Sequence, residues 1–175
     1  PIEGPRIDLT MATKWDGLSF IELMPDTLVP VMSKRLVSDD RKLSLQNALV
    51  SFPRIHVSSR RHAWPDWLTA QGIEAPTRSD DVECGHFFMA LDAMKDRQGI
   101  ALVPALLLAD LEYRQDLEIL PCTPQRSAGS NHTVFQRAHA SNLGVIAFLA
   151  WLQEEAAMLQ TRTDSVLAEA LAGSG

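Results

Sequence analysis

The chain has 175 residues, 46% of them hydrophobic and 22% charged, with a formal net charge of -6. That is enough chain for one sizeable core, and the acidic balance excludes a surface that grips phosphate backbones by itself. No apolar run reaches the roughly 18 residues of a membrane span, so no membrane partner is expected. Pro1 to Pro5, with no initiating Met, read as a cut inside a longer polypeptide. Ile7 to Thr13 predicts a short strand, with Ile7, Leu9 and Met11 alternating against Asp8, Thr10 and Ala12. Trp15-Asp16-Gly17 signals a turn. Leu18 to Met24 predicts a second strand, Pro25-Asp26 is expected to break it, and Thr27 to Met32 predicts a third. Ser33 is placed to cap a short helical stretch over Lys34 to Val37, and Ser44 to Leu49 reads as another helical turn before Pro53.

Arg54 to Ser59 alternates as a strand. Ala63 to Gln71 predicts a helix with Pro65 near its first turn and Gly72 at its end. Asp80 to Cys84 is a strand candidate that feeds the stretch Gly85 to Pro104. There Phe87, Leu91 and Met94 fall at helical spacing, with Phe88 alongside. Lys95 and Arg97 suit the negative end of that helix, Gly99 is where it should stop, and Ile100 to Val103 is an apolar run of strand length. A helix that begins beyond a strand end aims its free backbone N–H groups outward, which makes it a natural anion or ligand site. Ala105 to Tyr113 then predicts a helix, Leu117 to Leu120 a strand, Thr123 to Ser130 a polar loop and Thr133 to Arg137 a strand. Asn142 caps a long amphipathic helix with Val145, Phe148, Leu149, Leu152, Ala156 and Leu159 on one stripe. Thr161 to Ala172 is a further helix or an exposed tail. Strands alternating with helices predict an α/β fold with mostly parallel sheet, and ligand sites in such sheets lie beyond the carboxyl ends of strands.

Four stretches, read in order, resemble the effector-binding domain of LysR-type transcriptional regulators: IDLTMATKWDGLSFIELMPDTLVPVMSKRL, FPRIHVSSRRHAWPDWLTAQGI, GHFFMALDAMKDRQGIALVPALLLADL and VIAFLAWLQEEA. The subgroup of glycine-cleavage activators and β-lactamase regulators is the most similar, through the Trp64-Pro65-Asp66-Trp67 helix after the RIHVSS strand. The resemblance spans nearly the whole chain. It implies a periplasmic-binding-protein-like fold of two Rossmann-like α/β subdomains joined by crossover strands. Asp26 to Ser33 would be the first crossover and Thr133 to Arg137 the return. Residues 34–128 would form the second subdomain, and residues 1–33 and 129–175 an incomplete first one. The family's winged helix-turn-helix and the opening strands of its first subdomain have no counterpart in this sequence. The implied partners are a small-molecule effector, anionic in character, and a second copy in a homodimer or tetramer. DNA would be contacted only through the winged helix-turn-helix.

Ser58 and Ser59 end a predicted strand, where hydroxyls bond a ligand carboxylate or cap the next segment. His86, Phe87 and Phe88 open the helix with free N–H groups. His86 is a ligand contact or a cap, and the two phenylalanines pack in the core or face the cleft. Thr13, Lys14 and Trp15 follow the first strand, with Lys14 either countering an anionic effector or simply solvated. Phe135 lines the hinge side of the cleft or is a buried strand residue. Arg60-Arg61-His62 reads as a solvated basic turn. Cys84 and Cys122 lack a CxxC partner and read as reduced thiols of a cytoplasmic protein. Neither a metal site nor a cofactor is expected, since the spacing of Cys84 and His86 matches no standard zinc pattern. Two other functions remain open: an extracytoplasmic solute-binding protein, and an α/β hydrolase-like enzyme using His56 or His86 with Asp80, Asp81 or Glu83. No nucleophile motif supports the enzyme.

Overall fold

The structure is a computed structural model and describes residues 16–37, 43–74 and 76–172. The strand expected over 7–13 and the candidates Thr13, Lys14 and Trp15 lie outside the described residues. Strand β1 runs unbroken over Leu18–Ser33, where two strands with a break at Pro25-Asp26 were expected. Pro25 is tolerated because this half of β1 has a single hydrogen-bonded neighbour among the described residues and sits between two register shifts, after Glu22 and after Pro25. A residue without an N–H donor fits such a place. Ser33 then accepts a hydrogen bond from the Arg35 amide at 3.3 Å and caps a short 3-10 turn, Lys34–Leu36.

Helix α1 (Leu45–Ser51) is capped by Ser44, whose hydroxyl accepts from the Asn47 amide. Strand β2 (Arg54–Val57) stops two residues short of the expected end, because Ser58–Arg60 wind into a 3-10 turn. Helix α2 (Ala63–Gln71) matches its prediction and ends on Gly72 at φ +66°, the left-handed conformation that terminates helices. Trp64 and Trp67 are buried on its inner face and meet edge to face at 6.0 Å. Their ring N–H groups donate to the Ile55 and Leu28 carbonyls, so neither indole is buried without a partner.

Strand β3 (Val82–Cys84) leads into helix α3 (Phe87–Lys95) and strand β4 (Ile100–Pro104). Gly99 is not the stop of α3. Arg97 takes the left-handed position at φ +63°, its amide bonds the Met94 carbonyl, and the Gln98 amide reaches back to Ala93, which is the paired closure of a helix end. Gly99 instead lets the backbone pass Pro53: a Cβ there would lie 2.2 Å from the Pro53 carbonyl oxygen, which accepts the Ile100 amide. The helix expected over Ala105 to Tyr113 shrinks to α4 (Leu106–Ala109). Beyond it the chain tightens into i→i+3 bonds from Leu111 and Arg114, and Leu117 reaches β1 opposite Ser33 as the start of β5 (Leu117–Ile119). Of the polar loop expected over Thr123 to Ser130, Gln125 to Ser130 form a strand. It belongs to β6, Gln125–Gln136, which pairs with β1 from Leu28↔Gln125 to Leu18↔Gln136. Its side chains are polar because it borders an edge and a cavity, while its backbone is satisfied by the ladder.

Helix α5 (Leu143–Ala172) is one helix of 30 residues, so the two segments expected there are continuous. Asn142 caps it, its side-chain oxygen accepting from the Gly144 and Val145 amides. The sheet order is β3-β2-β4-β1-β5, with β6 also on β1. Strands β2, β3 and β4 are parallel, and β1 is antiparallel to β4, β5 and β6. The sheet is therefore mixed, not mostly parallel, because β1 runs against each of the strands it pairs with. All five residues of β4 are buried. They form the centre of a core that takes in Val29, Val31 and Met32 of β1, Leu91 and Met94 of α3, and Leu108 and Leu120.

Candidate functional site

Beyond the carboxyl end of β2 the 3-10 turn at Ser58–Arg60, the start of α2 and the first residues of β6 enclose a cavity of about 460 Å³. This is where a sheet with parallel strands places its ligands. Leu28, Ala63, Trp67 and Ala70 supply an apolar wall. Ser58, Ser59, Arg60, Arg61 and His62 supply one polar wall, and Arg126, Ser127 and Gly129 another. An apolar body with a few directed polar groups is the usual make-up of a small-molecule pocket.

The site is organised around a buried acid. Asp26 is 3% exposed and sits in β1 at the register shift between Pro25↔Ser130 and Thr27↔Arg126, where β6 carries extra residues. Its carboxylate accepts from the Arg60 guanidinium and, at 2.8 Å, from the Ser127 hydroxyl. The Ser127 oxygen accepts in turn from the Gly129 amide at 3.1 Å. On its other side the Arg60 guanidinium lies 5.2 Å from the centre of the Phe87 ring, a cation–π distance. One arginine thus joins the 3-10 turn, strand β1 and the start of α3. Two further arginines are held loosely: Arg61 is 4.0 Å from Glu83 and Arg126 is 3.9 Å from Glu22, all four side chains being exposed.

The expected site residues divide. Ser58 and Ser59 line the cavity, and the Ser58 hydroxyl donates to the Gly85 carbonyl at 3.4 Å, tying the turn to the segment before α3. Phe87 is half-buried and reaches the site through Arg60. Phe88 is 71% exposed, neither core nor lining, because the buried face of α3 is Ala90, Leu91, Ala93 and Met94. His86 is the exposed N-cap of α3 and caps no amide with its side chain. Phe135 is half-buried opposite Ser19, in the ribbon half of β6 and away from the cavity. Sequence reading missed Asp26, Arg60, Arg126 and Ser127. Asp26 left a signal: a lone acid inside the apolar run LMPDTLVPV needs a buried partner if the run is a strand.

A second cavity of about 310 Å³ lies at the β2/β3 edge, lined by His56, Asp81 and Glu83. Asp81 accepts from the Arg54 backbone amide at 2.8 Å, from its guanidinium at 2.7 and 3.1 Å, and contacts His56 Nε2 at 3.2 Å. Burial alone would raise the Asp81 carboxyl, but the Arg54 bonds and His56 outweigh it and hold it below the usual carboxylate range. The acid that an enzyme would use to orient His56 is thus committed to Arg54, and Ser58 donates away from His56. Cys84 and Cys122 are free and buried, and burial pushes the Cys122 thiol up to about 12. Among the described residues no group of three or more His, Cys, Asp or Glu could hold a metal ion, and no helix is long and apolar enough to cross a membrane.

Comparison with known proteins supplies the family. A model of the LysR substrate binding domain matches residues 6–157. The HTH-type transcriptional regulator TrpI of Pseudomonas aeruginosa is 31% identical over 94 residues, which cover 53% of this chain and 32% of TrpI. The match therefore spans about a third of that relative's length. The effector domain of AmpR from Pseudomonas aeruginosa superposes with a TM-score of 0.67 at 21% identity, over 87% of this chain and 77% of that one. The AmpR effector binding domain from Citrobacter freundii gives 0.68 at 18% identity, over 87% and 80%. At such identities the two structures speak for the fold, and the family model speaks for descent. The chain belongs to the LysR substrate binding domain family, the effector-binding part of LysR-type transcriptional regulators.

Proposed function

We propose that this domain senses a small anionic molecule in the cavity beyond β2 and passes its occupancy to the rest of a DNA-binding regulator. The observation that carries this reading is the cavity itself: serine hydroxyls, guanidiniums and an apolar wall converge beside the paired strands β1 and β6. Residues 34–128 act as one subdomain, and residues 1–33 with 129–175 as the other. A ligand touching the Ser58–Arg61 turn of one and Leu28 and Gly129 of the other favours the closed arrangement by as much as it binds it better, and no more. The regulator works in the cytoplasm as a homodimer or tetramer, with DNA contacted by a separate winged helix-turn-helix. The role is binding, and no reaction is assigned to it.

Calorimetry and thermal shift against amino acids, cell-wall fragments and aromatic acids test the reading. At a ligand concentration of about 100 Kd, mass action stabilises the fold by about 2.7 kcal/mol, a rise of roughly 5–10 °C in Tm for a chain of this size. Ala70→Trp, which fills the cavity, should abolish that rise. If no small molecule binds, and the complete regulator controls its promoter equally well with the cavity filled, the sensing role is wrong.

A further inference from the structure

Three guanidiniums border the cavity, and they are not equivalent. Arg60 is committed: Asp26 is its counter-ion, Ser127 completes the Asp26 shell, and Phe87 covers its other face. A ligand anion could take Arg60 only by leaving the Asp26 carboxylate, 3% exposed, without a cation. A buried charge stripped of its partner costs far more than an exposed ion pair returns. Arg61 and Arg126 stand in the opposite position. Their carboxylate neighbours, Glu83 and Glu22, lie at 4.0 and 3.9 Å, beyond hydrogen-bond length, and all four side chains are more than half exposed. Exchanging such contacts for a ligand costs little, because solvated pairs are worth little. The two arginines come from separate elements, Arg61 from the turn before α2 and Arg126 from β6, and both border the same cavity. Asp66, in the first turn of α2, is the exposed carboxylate that faces the cavity with them.

We propose that Arg61 and Arg126 are the anion-reading pair of this cavity, and that Arg60 is a latch held by Asp26. The inference rests on the cavity being the ligand site. The ligand class it names is an organic anion, carboxylate or phosphate, with an apolar body that lies on Leu28 and Trp67. Planar guanidinium forks match both oxyanions. Because the pair spans the turn and β6, the anion would draw the two walls together.

The test is titration of the full chain with benzoate and with phenyl phosphate at low salt, followed by NMR and calorimetry. The two probes separate a carboxylate ligand from a phosphate ligand. Arg61→Gln and Arg126→Gln should each weaken the better probe about tenfold and flatten its salt dependence, while leaving Tm within a degree or two. Arg61→Lys should recover part of the loss. Asp26→Asn should lower Tm by several degrees and tighten neither probe. If Asp26→Asn tightens a probe and Arg61→Gln changes nothing, Arg60 is the anchor and the assignment fails, while the cavity stands as a ligand site. If neither probe perturbs the cavity residues of the parent chain at tens of millimolar, the assignment and the ligand site fall together.

Discussion

Asp26 and Asp81 show how one residue type does two jobs by its surroundings. Asp26 lies inside the sheet and links segments distant in sequence. Asp81 lies just before β3 and pins Arg54, the first residue of β2, through backbone and side chain at once. Asp81 therefore couples stability to pH. Its carboxyl titrates below the usual range when folded, so its contribution is complete above the unfolded value of about 3.9 and is lost as pH falls through the depressed folded value. Asp81→Asn should cost about 1 kcal/mol at neutral pH, near the low end for charged hydrogen bonds because solvent still reaches the pair. It should also flatten the loss of Tm between about pH 5 and pH 2, measured by calorimetric melts of both proteins. A parallel pH dependence in parent and variant would show that Arg54 does not depend on that charge. The serines that line the cavity were legible in the sequence because hydroxyls just past an alternating run are a local pattern, although the strand stops before them. Asp26 with Arg60 was not, because the two are 34 positions apart and become neighbours only once β1 and β2 share a sheet.

Local punctuation was read correctly at α2 and misread at Pro25 and Gly99. Helix α2 carries Pro65, a tryptophan face and Gly72, and it starts and stops where those residues say. Strand β4 has no such alternative as a buried apolar run. Strand β6 is the contrary case: Gln125 to Ser130 has neither alternation nor apolar residues apart from Ala128, and among the described residues its strand partner is β1. Helix α5 combines both situations. From Ala156 onward it buries a regular face, Ala156, Thr163, Val166 and Ala170, braced by Arg114–Glu169 and Arg162–Asp110. From Leu143 to Leu152 it has no charged residue on any side, yet Leu143 is 81% exposed and the touching pair Phe148 and Trp151 about half exposed. Helices apolar all round belong in buried positions, and patches of this kind mark interaction surfaces. A second copy of the chain, the partner in our functional reading, would have no like charge to bring together there. Phe148→Gln with Trp151→Gln should weaken self-association at least tenfold in sedimentation velocity with helix content unchanged. Equal association by parent and variant would place the contact elsewhere.

At the scale of the molecule, one strand belongs to two different neighbourhoods. Over Leu28–Val31 strand β1 is flanked by β4 and, on its other edge, by β6 and then β5. From Leu18 to Thr27 its one strand partner among the described residues is β6, and a two-stranded ribbon has little stability of its own. The change falls at Pro25, which offers no amide, and at the irregularity where Asp26 meets Arg60 and Ser127. A covalently continuous strand is thus divided in time. In amide exchange, Val29 to Met32 should report only global opening, while Phe20 to Met24 should exchange through fraying of the ribbon, orders of magnitude sooner. The boundary between these two clocks coincides with the wall of the cavity. An occupant there would slow the faster clock without changing a single residue of the slower one.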